Sequence, residues 1–195
     1  MATRTTPGEG DYNLSDPIHS FIDTVRRVVL QTVSFFASLP QSRNLVNPLV
    51  FALICIEIYT ILGGLLGLVR VGTNRGLGSF IASIIAAPIG GAIGLFILAA
   101  ILHLLVRLVV GAGNSGFEAT FRVAAYAAVV NLVSWIPLVG WLLGLYGIYL
   151  SVVGIKEVHG TTTGKAALVV LIPAGVILLL VLVGLLAAGA VLSRP

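Results

Sequence analysis

The chain has 195 residues, 58% of them hydrophobic and only 9% charged, with a mean hydropathy of +1.10. Soluble domains carry about 25% charged residues, so this chain could not cover a water-facing surface, and lipid must be most of its solvent. Its net charge of +4, from 11 basic and 7 acidic residues, fits basic loops on one side of a membrane rather than nucleic-acid binding, and the lone Cys55 excludes a disulfide framework or a cysteine metal site.

Residues 1–15 are polar, contain Pro and Gly, and read as a disordered tail. The first 47 residues hold no long apolar core, so no cleavable signal is expected, and Arg26-Arg27 is followed by no export-type apolar region or cleavage site. Asp16-Pro17 marks a helix start, with Asp16 as N-cap and Pro17 at the first helical position. Apolar residues follow at helical spacing: Ile18, Phe21, Ile22, Val25, Val28, Val29, Val33 and Phe36. The opposite face carries Ser20, Asp23, Thr24, Arg27, Gln31 and Ser34, and Leu39-Pro40 ends the pattern. The segment 16–40 is expected to be an amphipathic helix that lies on the membrane surface or packs on the ends of the spans.

The membrane part is expected at 45–192, as five spans at about 48–69, 88–110, 119–136, 138–156 and 166–192. Each is long enough for a hydrocarbon core of about 30 Å at about 1.5 Å per residue. Because Pro88 and Gly90-Gly91 interrupt a run too long for one crossing, residues 79–87 are read as a separate interfacial helix. With the N-terminus inside, the inner side carries Arg4, Arg26, Arg27, Arg43, Arg107, Arg122, Lys156 and Lys165, and the outer side Arg70, Arg75 and Arg194. This asymmetry predicts a cytoplasmic N-terminus and an outer C-terminus, with Trp135 and Trp141 in the outer aromatic belt around Pro137.

The hairpin of the third and fourth spans resembles the Yip family, named for interaction with Ypt/Rab-type GTPases. The resemblance is carried by Phe117 and Arg122, the pair Ala125-Tyr126, the corner Pro137-x-x-Gly140, Tyr146 and Tyr149, and the closing run from Gly154 to Ala167. His103 and the Asn47-Pro48-Leu49 opening of the first span are similar to the prokaryotic branch. The resemblance covers roughly residues 45–190. It implies a five-span helical bundle in a prokaryotic plasma membrane. Eukaryotic members act in vesicle traffic with Rab GTPases; this chain lacks the long acidic, aromatic N-terminal region of the Golgi branch, so Rab binding is not expected.

Several polar side chains fall inside the spans: Glu57, His103, Asn131, Tyr146 and Tyr149. At about 1.5 Å per residue they share one layer about 10–15 Å from the cytoplasmic interface. A carboxylate in hydrocarbon costs about 2.5–3.5 kcal/mol, so Glu57 should seek a partner, and His103 is the expected one. Such a layer is either a clasp between helices or a proton- or ion-linked transport site. Arg107, Arg122, Lys156 and Lys165 are expected at headgroup level, as snorkelling cations or contacts to anionic lipid. Gly63/Gly67, Gly90/Gly94 and Gly140/Gly144 have the spacing for close helix packing, within the bundle or in a homo-oligomer.

Three patterns mimic sites. GAGNSG (Gly111 to Gly116) has no strand before it, GTTTGK (Gly160 to Lys165) has Ala166 where Mg²⁺ chemistry needs Ser or Thr, and His159 with Glu157 lacks further ligand-type neighbours. No nucleotide, metal or other cofactor is expected, and no nucleophile–base pair points to an enzyme. The expected role is a membrane protein that organises lipid or membrane-associated partners; the alternative is a small ion- or proton-coupled transporter.

Overall fold

The computed structural model describes residues 11–40, 44–69 and 76–192. Residues 1–10 of the expected tail, Arg43, the loop 70–75 and residues 193–195 lie outside the described residues. All regular structure among the described residues is helical.

Helix α1 (Pro17–Leu30) starts at the expected Asp16-Pro17 step. The Asp16 carboxylate does not cap the backbone but meets His19 Nδ1 at 3.1 Å. The single helix expected through residue 39 is broken at Gln31, and α2 (Thr32–Ala37) follows. At the break the Thr32 hydroxyl donates to the Val28 carbonyl, a local bond that competes with regular helix. The change of direction buries both Phe35 and Phe36. Residues 11–15 are not loose either: Tyr12 is 1% exposed.

Helix α3 (Val46–Val69) is the first long apolar helix, and α4 (Leu77–Val109) the second. The expected split of α4 at Pro88 does not occur. Proline removes one backbone bond, but a helix in lipid has no water competing for its other bonds, so it continues. At about 1.5 Å per residue α4 is about 50 Å long, beyond the hydrocarbon core.

The stretch expected to be the third span is α5 (Phe117–Ala127), a 3-10 turn (Ala128–Val130) and α6 (Asn131–Ser134). Among the described residues, four helices are long and apolar enough to cross a membrane: α3, α4, α7 (Val139–Val158) and α8 (Thr163–Leu192, over residues 163–186). Helix α5 differs because it is central. Every residue from Thr120 to Ala127 is buried, among α3, α4 and α7. Its polar groups therefore meet protein, and it needs no uniform apolar surface.

The corner between α6 and α7 is tight. Leu138 has φ 70°, and a Cβ on Gly140 would sit 2.5 Å from the Ser134 carbonyl oxygen, so Gly140 is required there. Thr162 accepts the Lys165 N–H on its hydroxyl at 3.4 Å and so caps the start of α8. The other glycine pairs divide. A Cβ built on Gly63 would lie 3.6 Å from Trp135 Cβ and Gly67 is buried, whereas Gly90, Gly94 and Gly144 have no neighbouring atom within 4 Å of a built Cβ. Those three are not used for close helix packing within the chain.

The core is thickest at the end of the bundle where α1 and α2 dock. The Tyr126 ring packs against Phe35 at 5.0 Å and Phe51 at 5.1 Å, and Phe51 also meets Phe21 at 5.2 Å. Away from that end the long helices expose Ile, Leu and Val over most of their length, as a lipid-facing surface does.

Candidate functional site

Arg122 sits at the centre of the docked end, 1% exposed. Its Nη2 donates to the Asn44 carbonyl at 2.6 Å and its Nε to the Pro40 carbonyl at 3.3 Å. Nη2 also lies 3.4 Å from Asp11 Oδ2. The expected snorkelling of Arg122 to headgroups is thus replaced by a buried role: the linker before α3 turns unpaired carbonyls inward, and the guanidinium's fan of donors matches them. Tyr126, one turn further along α5, donates its hydroxyl to Asp11 Oδ1 and accepts the Tyr12 N–H at 3.1 Å. Burial pushes the Asp11 carboxyl up to about 6, against the pull of the Arg122 guanidinium and the Tyr12 N–H. Beside this knot lies a recess of about 260 Å³ between α2, α5 and α7, lined in part by Arg122, Glu118 and Glu157.

A second polar cluster joins α4, α5 and the end of α7. His159 Nδ1 accepts the Ser115 backbone N–H at 3.0 Å, so the proton of its neutral ring is on Nε2, which donates to Thr120 Oγ1 at 3.0 Å. The Thr120 hydroxyl in turn faces His103 Nδ1 at 3.1 Å, and Ser115 Oγ donates to the Val158 carbonyl at 2.6 Å. Burial, with His103 nearby, holds the His159 imidazole down at about 4. This neutral chain ties three helices together. Among the described residues no group of three His, Cys, Asp or Glu side chains comes together here or elsewhere. The GAGNSG segment is the connector that presents Ser115, closed by Asn114 bonds to Gly111 and Gly116.

The five groups expected in one polar layer are not brought together by hydrogen bonds. His103 bonds Thr120 rather than Glu57, and both Glu57 carboxylate oxygens are buried without a hydrogen-bond partner. The Tyr146 hydroxyl donates to the Val29 carbonyl at the end of α1, its ring stacked on that of the half-exposed Tyr149. Asn131 lines an apolar cavity elsewhere. Of the expected headgroup cations, Arg107 and Lys165 are exposed and Lys156 pairs with Glu157 at 2.7 Å. Sequence reading missed Asp11, Thr120 and Ser115 as site residues and gave His159 no role. Only Tyr126 had a signal, through the family pattern, because partners 17 to 115 residues away leave no local spacing to read.

No curated protein and no solved structure matches the chain. A family model does: the Yip1 domain matches residues 26–185, which takes in α2 to α7, the end of α1, most of α8 and the whole of the second polar cluster, but not Asp11 or Tyr12 of the first. This integral membrane protein therefore belongs to the Yip1 domain family.

Proposed function

We propose that the protein is a non-enzymatic organiser of the prokaryotic plasma membrane that acts on lipid through α1 and α2. One observation carries this reading. These helices are fastened to the bundle by Phe35, Phe36 and the Arg122–Tyr126 knot, yet they hold an apolar stripe outward, with Ile18 71%, Ile22 60%, Leu30 70% and Val33 51% exposed. An amphipathic segment held against a membrane bundle inserts such a stripe at the boundary of headgroups and acyl chains. The same reading has five crossings with α5–α6 as the third and the N-terminus cytoplasmic. In support, residues 117–134 extend about 27 Å at about 1.5 Å per residue, and the basic residues divide eight to three.

The test is an environment-sensitive NBD label at Ile18→Cys or Ile22→Cys in a Cys55→Ser background, in vesicles. Blue-shifted emission quenched by brominated lipid is expected, with vesicle remodelling by the wild type that Ile18→Asp/Ile22→Asp abolishes. Water-like emission, or remodelling unchanged in the double variant, would overturn the reading.

A second reading, ion- or proton-coupled transport, has one observation in its favour, the Glu57 carboxylate buried without a partner. Dye-reported proton flux that Glu57→Gln removes would establish it, and absence of flux in both proteins would discard it.

A further inference from the structure

A cavity of about 480 Å³ lies between α4, α7 and α8, floored by the 3-10 turn and α6. Gly94, Leu98 and Leu102 of α4 form one wall, Gly144 of α7 and Ala174 of α8 the other. The absence of side chains at Gly94 and Gly144 makes the room: a Cβ at either would have no atom within 4 Å. Along α4 the space runs from Gly91 to Leu102, about 16 Å at about 1.5 Å per residue. Leu98 on its wall is 40% exposed, so the space reaches the surface of the bundle.

One lining group does not belong in a plain hydrocarbon slot. Asn131 lines the cavity, and its side-chain amide forms no hydrogen bond among the described residues. An unpaired amide in an apolar medium is costly. Ser151 is a second polar lining residue; its hydroxyl proton is given to the Gly147 carbonyl at 2.8 Å, which leaves the oxygen free to accept. Among the described residues no charged side chain lines the space, so an ionic headgroup would find no counter-charge there. Water at the Asn131 and Ser151 end, at about 30 Å³ per molecule, leaves the apolar rest of the space unfilled, and a helix about 10–12 Å across is too thick to enter.

We propose that the cavity binds one neutral, single-tailed amphiphile, with a hydroxyl or carbonyl oxygen at Asn131 and its hydrocarbon chain along Leu98 and Leu102. The Asn131 amide both donates and accepts, so it matches either kind of oxygen. The inference does not depend on the membrane-organising role of α1 and α2.

The test uses the full chain in phosphatidylcholine vesicles with a long-chain fatty alcohol carrying a diazirine in its tail, against phosphatidylcholine carrying the same diazirine. The alcohol should label wild type saturably, at cavity residues such as Leu98 and Leu102. Asn131→Leu should weaken that labelling about tenfold, the worth of one well-made hydrogen bond. Gly94→Phe, which fills the cavity, should abolish it, and the phospholipid probe should label the outer helix faces equally in all three proteins. Alcohol labelling that does not saturate, or that Asn131→Leu leaves unchanged, would overturn the proposal and mean that only bulk acyl chains enter. Asn131→Leu keeps the number and branching of the side-chain heavy atoms, so it decides the matter even where Gly94→Phe does not fold.

Discussion

Arg122 shows how one side chain can set the meaning of an entire segment. It holds the Asp11 carboxylate and the Pro40 and Asn44 carbonyls, so three stretches of chain end on it. Arg122→Met would leave those acceptors buried and unsatisfied, at a cost of about 3–5 kcal/mol. A lower thermal unfolding midpoint in detergent, partly restored by adding Asp11→Asn, is the expected result; additive losses would mean that the two residues do not share this interaction. The pH dependence is subtler. Asp11 rises from 3.8 to about 6 on folding, so its contribution is fully present below 3.8 and is lost as pH rises through 6. His159 falls from 6.5 to about 4, so its contribution is present above 6.5 and is lost as pH drops through 4. The two oppose each other over the same window. The wild-type midpoint should therefore change little between pH 6.5 and 4.5 on account of these groups, whereas Asp11→Asn should lose stability steadily across it. Parallel profiles for the two proteins would show that Asp11 is ordinary in its titration.

Among the elements, the α6–α7 corner has the sharpest backbone demand. Leu138 at φ 70° and ψ −49° occupies a strained, γ-turn-like conformation that costs about 1–3 kcal/mol, while glycine adds only about 0.4–1 kcal/mol of unfolded-state entropy. Leu138→Gly should thus raise the unfolding midpoint slightly. Gly140→Ala should lower it by the equivalent of about 1–3 kcal/mol, because its Cβ would press on the Ser134 carbonyl. A midpoint unmoved by Gly140→Ala would mean that the corner relaxes freely. This corner was legible in the sequence, since Pro137 and Gly140 punctuate two apolar runs, and so was the Pro17 start of α1. What escaped reading has a common cause. Gln31 carries no breaker signal, and α1 ends there because Phe35 and Phe36 are buried in the core; Pro88 carries a strong one, yet α4 continues through it. The partners of Arg122, Thr120 and Tyr126 come from other elements. Local pattern gives helices; it does not say which acceptors a buried guanidinium will find.

At the scale of the whole molecule, the question is how a central helix with Glu118, Thr120 and Arg122 fits among four apolar ones. The hydrogen bonds constrain the answer. Ser115, just before α5, bonds both His159 and Val158, so the start of α5 and the end of α7 lie on one side of the membrane. Helix α7 is long and apolar enough to cross. If it does, its beginning, the corner at Leu138, is on the other side, and the five-crossing topology proposed above takes α5–α6 as the return crossing between Ser115 and Leu138. A single-cysteine scan in a Cys55→Ser background tests the topology directly. Gly113→Cys and Gly164→Cys should react with a membrane-impermeant maleimide only from the cytoplasmic face, and Leu138→Cys and Gly78→Cys only from the outer face of intact cells. Were Gly113→Cys and Leu138→Cys to label from the same side, α5–α6 would be a re-entrant insert, and α7 could not cross while its end stays bonded to Ser115. Labelling from opposite sides would make Arg122 and Thr120 polar residues of a true crossing, carried through the bilayer because protein surrounds them on every side.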